Sequence, residues 1–93
     1  MSENLSTSIE ISMYPLRDEF IPSIDLFLEK MHRVAGLKVQ TNVMSTQVFG
    51  PFDLAFDSMQ QAIKEIYQAG GQFPFVIKVL NGDVSDNSIK DYK

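Results

Sequence analysis

Cysteine is absent from this 93-residue chain. That excludes disulfides, thiolate metal sites and a cysteine nucleophile, and it permits a reducing compartment. Histidine is nearly absent: His32 is the only one. No ligand set accompanies it in the sequence, so neither a metal nor a catalytic role is expected of it. Positive charge is sparse. Eight Lys and Arg stand against twelve Asp and Glu, for a formal net charge of −4. With no basic cluster, nucleic acid is not an expected partner. Long hydrophobic runs are missing too. The run FPFVIKVL is broken by Lys78 and falls far short of the roughly 20 residues a membrane-spanning helix needs. The opening MSENLSTS is polar, without a basic and then apolar start, so no signal peptide and a cytoplasmic location are expected.

What remains is ordinary globular composition, 44% hydrophobic and 22% charged. The length predicts one domain with a limited core, of the size that often recruits a second copy of itself. Residues 1–7 read as a loose arm, 8–82 as the folded domain, and 83–93 as a polar tail.

SIEISMYP alternates. Ile9, Ile11 and Met13 share one face, and Ser8, Glu10, Ser12 and Tyr14 the other, which predicts a strand ended by Pro15. In the next segment Phe20, Ile24, Phe27, Leu28 and Met31 recur at helical spacing. Asp18 is a candidate N-cap, Pro22 fits the first turn, and Gly36 fits the stop. LKVQTN and STQVFG read as two strands. Their apolar parity slips by one near Met44, which predicts a hairpin bend over Asn42–Ser45 rather than one long strand. A second helix follows, with Asp53 as candidate cap, a stripe of Ala55, Met59, Ala62, Ile63 and Ile66, and a Gly70–Gly71 stop. FPFVIKVL is the last strand. The order strand, helix, strand, strand, helix, strand is that of the ferredoxin-like α+β sandwich, a four-stranded antiparallel sheet with two helices on one face. Its open face, with Ser12, Tyr14, Val76 and Leu80, is expected to meet a partner or ligand.

Three segments, ISMYPLRDEF, TNVMSTQVFG and FDLAFDSMQQAIKEIYQAG, resemble the YkoF-like thiamine/hydroxymethylpyrimidine-binding family. The resemblance runs from about Ser8 to Asn81. It is carried by S-x-Y-P at the end of the first strand, by S-T-x-x-x-G opening the third, and by the acidic pair Asp18–Glu19. It implies a non-enzymatic, cytoplasmic binder of thiamine or its hydroxymethylpyrimidine moiety, linked to thiamine-precursor uptake and a possible transporter partner. No cofactor or metal is implied. The family's namesake carries two such repeats and this chain one. A homodimer through the sheet faces, or a tetramer, is therefore expected in place of the tandem.

An aminopyrimidine offers ring acceptors and an amino donor. Neutral Ser, Thr and Asn match both without the desolvation cost of a charge. The resemblance points first to Thr46, then to Ser45, with Asn42 standing where the namesake has an acidic residue. Tyr14 and Met44 would pack on the ring. The cationic ring would meet an aromatic face or a carboxylate such as Glu10 or Asp18. Other readings of the same residues stay open. Ser, Thr and Asn at a bend often serve their own backbone, and Asp18, Asp53 and Glu10 have structural roles available. Two other functions stand beside binding. One is a pairing or regulatory domain with no ligand. The other is a small phosphohydrolase, for which the loop PLRDEF offers Arg17 but no glycine cradle and no paired nucleophile and base.

Overall fold

Strand periodicity at the start of the chain becomes a strand longer than the alternation alone indicates. The computed structural model describes residues 5–15 and 21–85. In it β1 spans Ser6–Met13, so Ser6 and Thr7, expected in the arm, belong to the sheet. Thr7 is buried there and its hydroxyl donates to the Leu80 carbonyl at 2.9 Å. The other elements are α1 (Ile21–His32), β2 (Lys38–Thr41), β3 (Thr46–Pro51), α2 (Phe52–Gln68) and β4 (Phe75–Asn81). The sheet is antiparallel in the order β2-β3-β1-β4, and the two helices pack together against it. This is the ferredoxin-like α+β sandwich.

Cross-strand register sorts the side chains into two faces. Ile9 is opposite Val48 and Val79, and Ile11 is opposite Thr46 and Ile77, all toward the helices. With Phe27 and Met31 of α1 and Ala55, Met59, Ala62 and Ile66 of α2, these strands supply the core. The stripe expected on α2 is thus the buried one, Ile63 packing at its margin. Coverage is uneven. The helices lie mainly over β2, β3 and β1, and Val79 on β4 stays 50% exposed on the nominal core side.

Helix ends follow the local sequence signals only in part. Pro22 sits in the first turn of α1, where its missing N–H has no helical partner to lose. Asp18 and Phe20 lie outside the described residues. Asp53 does not cap α2. The N-cap is Pro51, and the first helical N–H, of Phe52, donates to the Leu5 carbonyl at 2.9 Å. The carbonyl just ahead of β1 thus satisfies the first helical donor, and Asp53 stands inside the first turn, where its charge favours the helix dipole. At the other end Gly71 N–H reaches the Ile66 carbonyl and Gly70 N–H that of Tyr67, with Gly70 at φ 98°. That pairing is a Schellman closure, and the expected double-glycine stop is its cause.

Candidate functional site

The β2–β3 bend is built by Asn42. Its N–H donates to the Ser45 carbonyl at 3.0 Å. Its side-chain Oδ1 accepts the N–H groups of Met44 at 2.8 Å and Ser45 at 3.1 Å. Asn42 therefore organises the bend with the oxygen that a ligand would otherwise use, as Asn at turns commonly does. Val43 and Met44 form the tip, and Met44 is 81% exposed.

The two hydroxyl residues after the tip point to opposite faces, as adjacent strand residues must. Thr46 turns to the helix side and is 1% exposed. Its Oγ1 lies 3.2 Å from Thr41 Oγ1, and Thr41 Oγ1 lies 3.2 Å from His32 Nε2 at the end of α1. Ser45 turns to the open face. Its hydroxyl donates to Glu10 Oε2 at 2.8 Å and accepts from Gln47 Nε2 at 2.7 Å. Lys78 Nζ stands 3.6 Å from Glu10 Oε1. Tyr14 follows β1, half exposed, with its N–H donating to the Pro74 carbonyl at 3.1 Å.

Four of the five expected site residues meet at one cavity. It lies under the bend, between β1 and α1, with a volume of about 140 Å³. Ile11, Met13, Ile24 and Leu28 wall it together with Thr41 and Thr46, and Asn42, Met44 and Ser45 rim it. Tyr14 does not line it. A cavity of about 150 Å³ with apolar walls is enough to hold a benzene ring. It is smaller than the roughly 300 Å³ at which drug-sized pockets begin, so one ring fits and a two-ring molecule must extend outside. Glu10 faces the other side of the sheet, paired with Lys78, and is separated from this cavity. Asp18, Glu19 and Arg17 lie outside the described residues.

A second concavity, about 550 Å³, occupies the open face. Across its floor Gln40, Gln47, Glu10 and Lys78 stand in register on four successive strands. Phe49 and Leu80 add apolar surface, and the segment after β4 closes one end. There the Ser8 hydroxyl donates to the Gly82 carbonyl at 2.7 Å and accepts the Val84 N–H at 3.0 Å. The Asp83 carboxyl is held below its ordinary range, chiefly by hydrogen bonds from Ser85. Residues expected in a free tail thus strap the sheet.

Sequence reasoning missed Thr41 at the smaller cavity, the contact of His32 with it, and the four-strand polar row at the larger. Thr41 shares strand parity with Val39, a usable signal once β2 is placed. The polar row depends on register between strands far apart in sequence, and no local pattern announces it. Among the described residues no cluster of three His, Cys, Asp or Glu is placed to hold a metal ion, and no helix is long and apolar enough to cross a membrane.

No protein-family model and no curated protein matches the chain. Solved structures do. One is a Thermotoga maritima protein provisionally named for thiamine biosynthesis or salvage, 19% identical, with a TM-score of 0.76 over 95% of this chain and 99% of that one. The likeness is one of fold. A hypothetical protein of Methanocaldococcus jannascii is 20% identical with a TM-score of 0.72, covering 94% of this chain and 91% of its own. A Bacillus cereus domain of unknown function is 19% identical with a TM-score of 0.74, covering 98% and 94%. At such identities the shared architecture is carried over and residue roles are not.

Proposed function

We propose that the protein binds thiamine or its hydroxymethylpyrimidine moiety without covalent chemistry, for sequestration or delivery in thiamine uptake or salvage. The observation that carries this reading is the ring-sized cavity under the β2–β3 bend, lined by apolar side chains and by Thr41 and Thr46, whose hydroxyls lie 3.2 Å apart. The pyrimidine would enter, its faces against Ile11 and Leu28 and its polar edge at Thr46. The remainder of thiamine would lie outside, past Met44. Thr46, Thr41 and Met44 are the ligand contacts of this reading, Asn42 shapes the bend, and Ser45 holds the rim through Glu10. Tyr14 is left outside the site. A fold neighbour named for thiamine biosynthesis or salvage supports the ligand class.

Calorimetric titration with thiamine and with hydroxymethylpyrimidine tests the proposal. Saturable heat is expected, with a melting temperature that rises with ligand as mass action requires. Neither heat nor shift at millimolar concentrations of either compound rejects it.

One observation favours a second reading, a pairing domain with no small ligand. Asn42 and Ser45 already spend hydrogen-bonding groups on the protein itself. The open face, with Leu80 and Val76 partly exposed, then serves only for association. We propose the sheet-face homodimer under both readings, so the ligand titration separates them.

A further inference from the structure

We infer that His32 sets the hydrogen-bond polarity that Thr46 presents to the cavity, acting through Thr41, and so selects which edge of a heterocycle the site accepts. The inference rests on the ligand reading above. The geometry is a chain of three groups, His32 Nε2, Thr41 Oγ1 and Thr46 Oγ1, joined by two contacts of 3.2 Å. The chain runs from an exposed helix end to a side chain that is almost fully buried and lines the cavity.

A hydroxyl has one proton to donate. When His32 Nε2 carries no proton, Thr41 donates to it and accepts the proton of Thr46. Thr46 then shows the cavity only lone pairs, which suit an amino group. An imidazolium has a proton on both nitrogens and can only donate. Nε2–H then donates to Thr41, Thr41 donates to Thr46, and the Thr46 O–H turns free toward the cavity. It now suits a carbonyl or an unprotonated ring nitrogen. Neutral imidazole admits either direction through its two tautomers. Protonation removes one of them.

The surroundings leave this relay to His32. On α1, Arg33 is paired with Glu29 at 2.7 Å. Lys30 is paired across the helix interface with Glu65 of α2, whose carboxyl lies below its ordinary range chiefly for that reason. On β2, Val39 and Thr41 face the helices, while Lys38 faces the other way toward Ser85. Among the described residues no ion pair includes His32. At the end of α1 the Lys30 and Met31 carbonyls accept the Arg33 and Val34 N–H groups. His32 is thus a positioning residue: it touches no ligand and works through Thr41.

Two measurements on the full chain test this. The first needs no ligand. By NMR across a pH series, the Thr46 Cβ and amide signals should change in step with those of the His32 ring. In Thr41→Val, the Thr46 signals should stop following those of His32. A silent Thr46 in the wild type, or an equal response in Thr41→Val, overturns the relay. The second compares thiamine with its 4-oxo analogue. From pH 8 to pH 5.5 the affinity ratio, amino over oxo, should fall about five-fold more in the wild type than in His32→Gln, the scale of one hydrogen bond. The variant cannot gain charge, so the ligands' own protonation cancels in the comparison. Equal pH dependence in both proteins overturns the selection. Failure of the wild type to bind either compound at any pH overturns the ligand reading and the selection with it, and the NMR titration then supports or overturns the relay by itself.

Discussion

Asn42 and Thr46 sit four residues apart and divide two tasks that residue type alone merges. Asn42 Oδ1 holds two backbone N–H groups, so Asn42→Ala should cost about 1 kcal/mol. In a domain this small that is a melting-temperature loss of roughly 4–8 °C, read by calorimetry, with a shift confined to the bend in NMR. Thr46 is buried beside Thr41 and carries the polar edge of the proposed site. Thr46→Val keeps the shape and removes the hydroxyl. Thiamine affinity should fall about five-fold with the fold intact, and unchanged affinity would remove Thr46 from the site. The bend itself was legible from the parity slip near Met44. The division of labour was not, because whether a side-chain oxygen turns inward to the backbone depends on bend geometry that composition leaves open.

Among the elements, the end of α2 is the one whose sequence cue and structure agree most closely. Gly70 adopts φ 98°, which side chains disfavour, and a Cβ on Gly71 would come within 2.7 Å of Ile66 Cγ2. Gly70→Ala should lose about 1 kcal/mol or more in denaturant unfolding, whereas Gly70→Asn, which tolerates this region better, should lose less. The start of α2 teaches the opposite lesson, since Asp53 does not cap it and its first N–H, of Phe52, is met by the carbonyl of Leu5, on the chain just ahead of β1. The strap after β4 carries a pH prediction. Hydrogen bonds from Ser85 depress the Asp83 pKa in the folded state, so the stabilisation is present above the ordinary value of 3.8 and is lost as pH falls through the depressed one. Amide exchange at Val84 and Ser85 should therefore accelerate in that acid range while β1 remains protected. In Asp83→Ala the same exchange should already be fast at neutral pH.

For the whole molecule, the open face poses the question of association. Its polar row ends in Glu10 and Lys78, which can meet a second copy with their signs exchanged. Light scattering should give a dimer, and Leu80→Glu should shift the mass toward monomer with the circular dichroism unchanged. A wild-type monomer at every concentration tested would reject the sheet-face pairing. Much of the architecture was written in short-range periodicity. The alternation of Ile9, Ile11 and Met13, the stripe from Ala55 to Ile66 and the glycine stop each act within a few residues, where side-chain spacing and backbone preference suffice. The candidate site was legible only in part, as a bend rich in hydroxyls. Its partners come from afar: Glu10 reaches Ser45 across 35 positions, and Ser8 reaches Gly82 across 74. Local propensity is blind at such separations. Register across the sheet and the packing of α1 over β2 bury Thr46 at the cavity and turn the Ser45 hydroxyl to the opposite face, because those are the arrangements that bury the apolar stripes together.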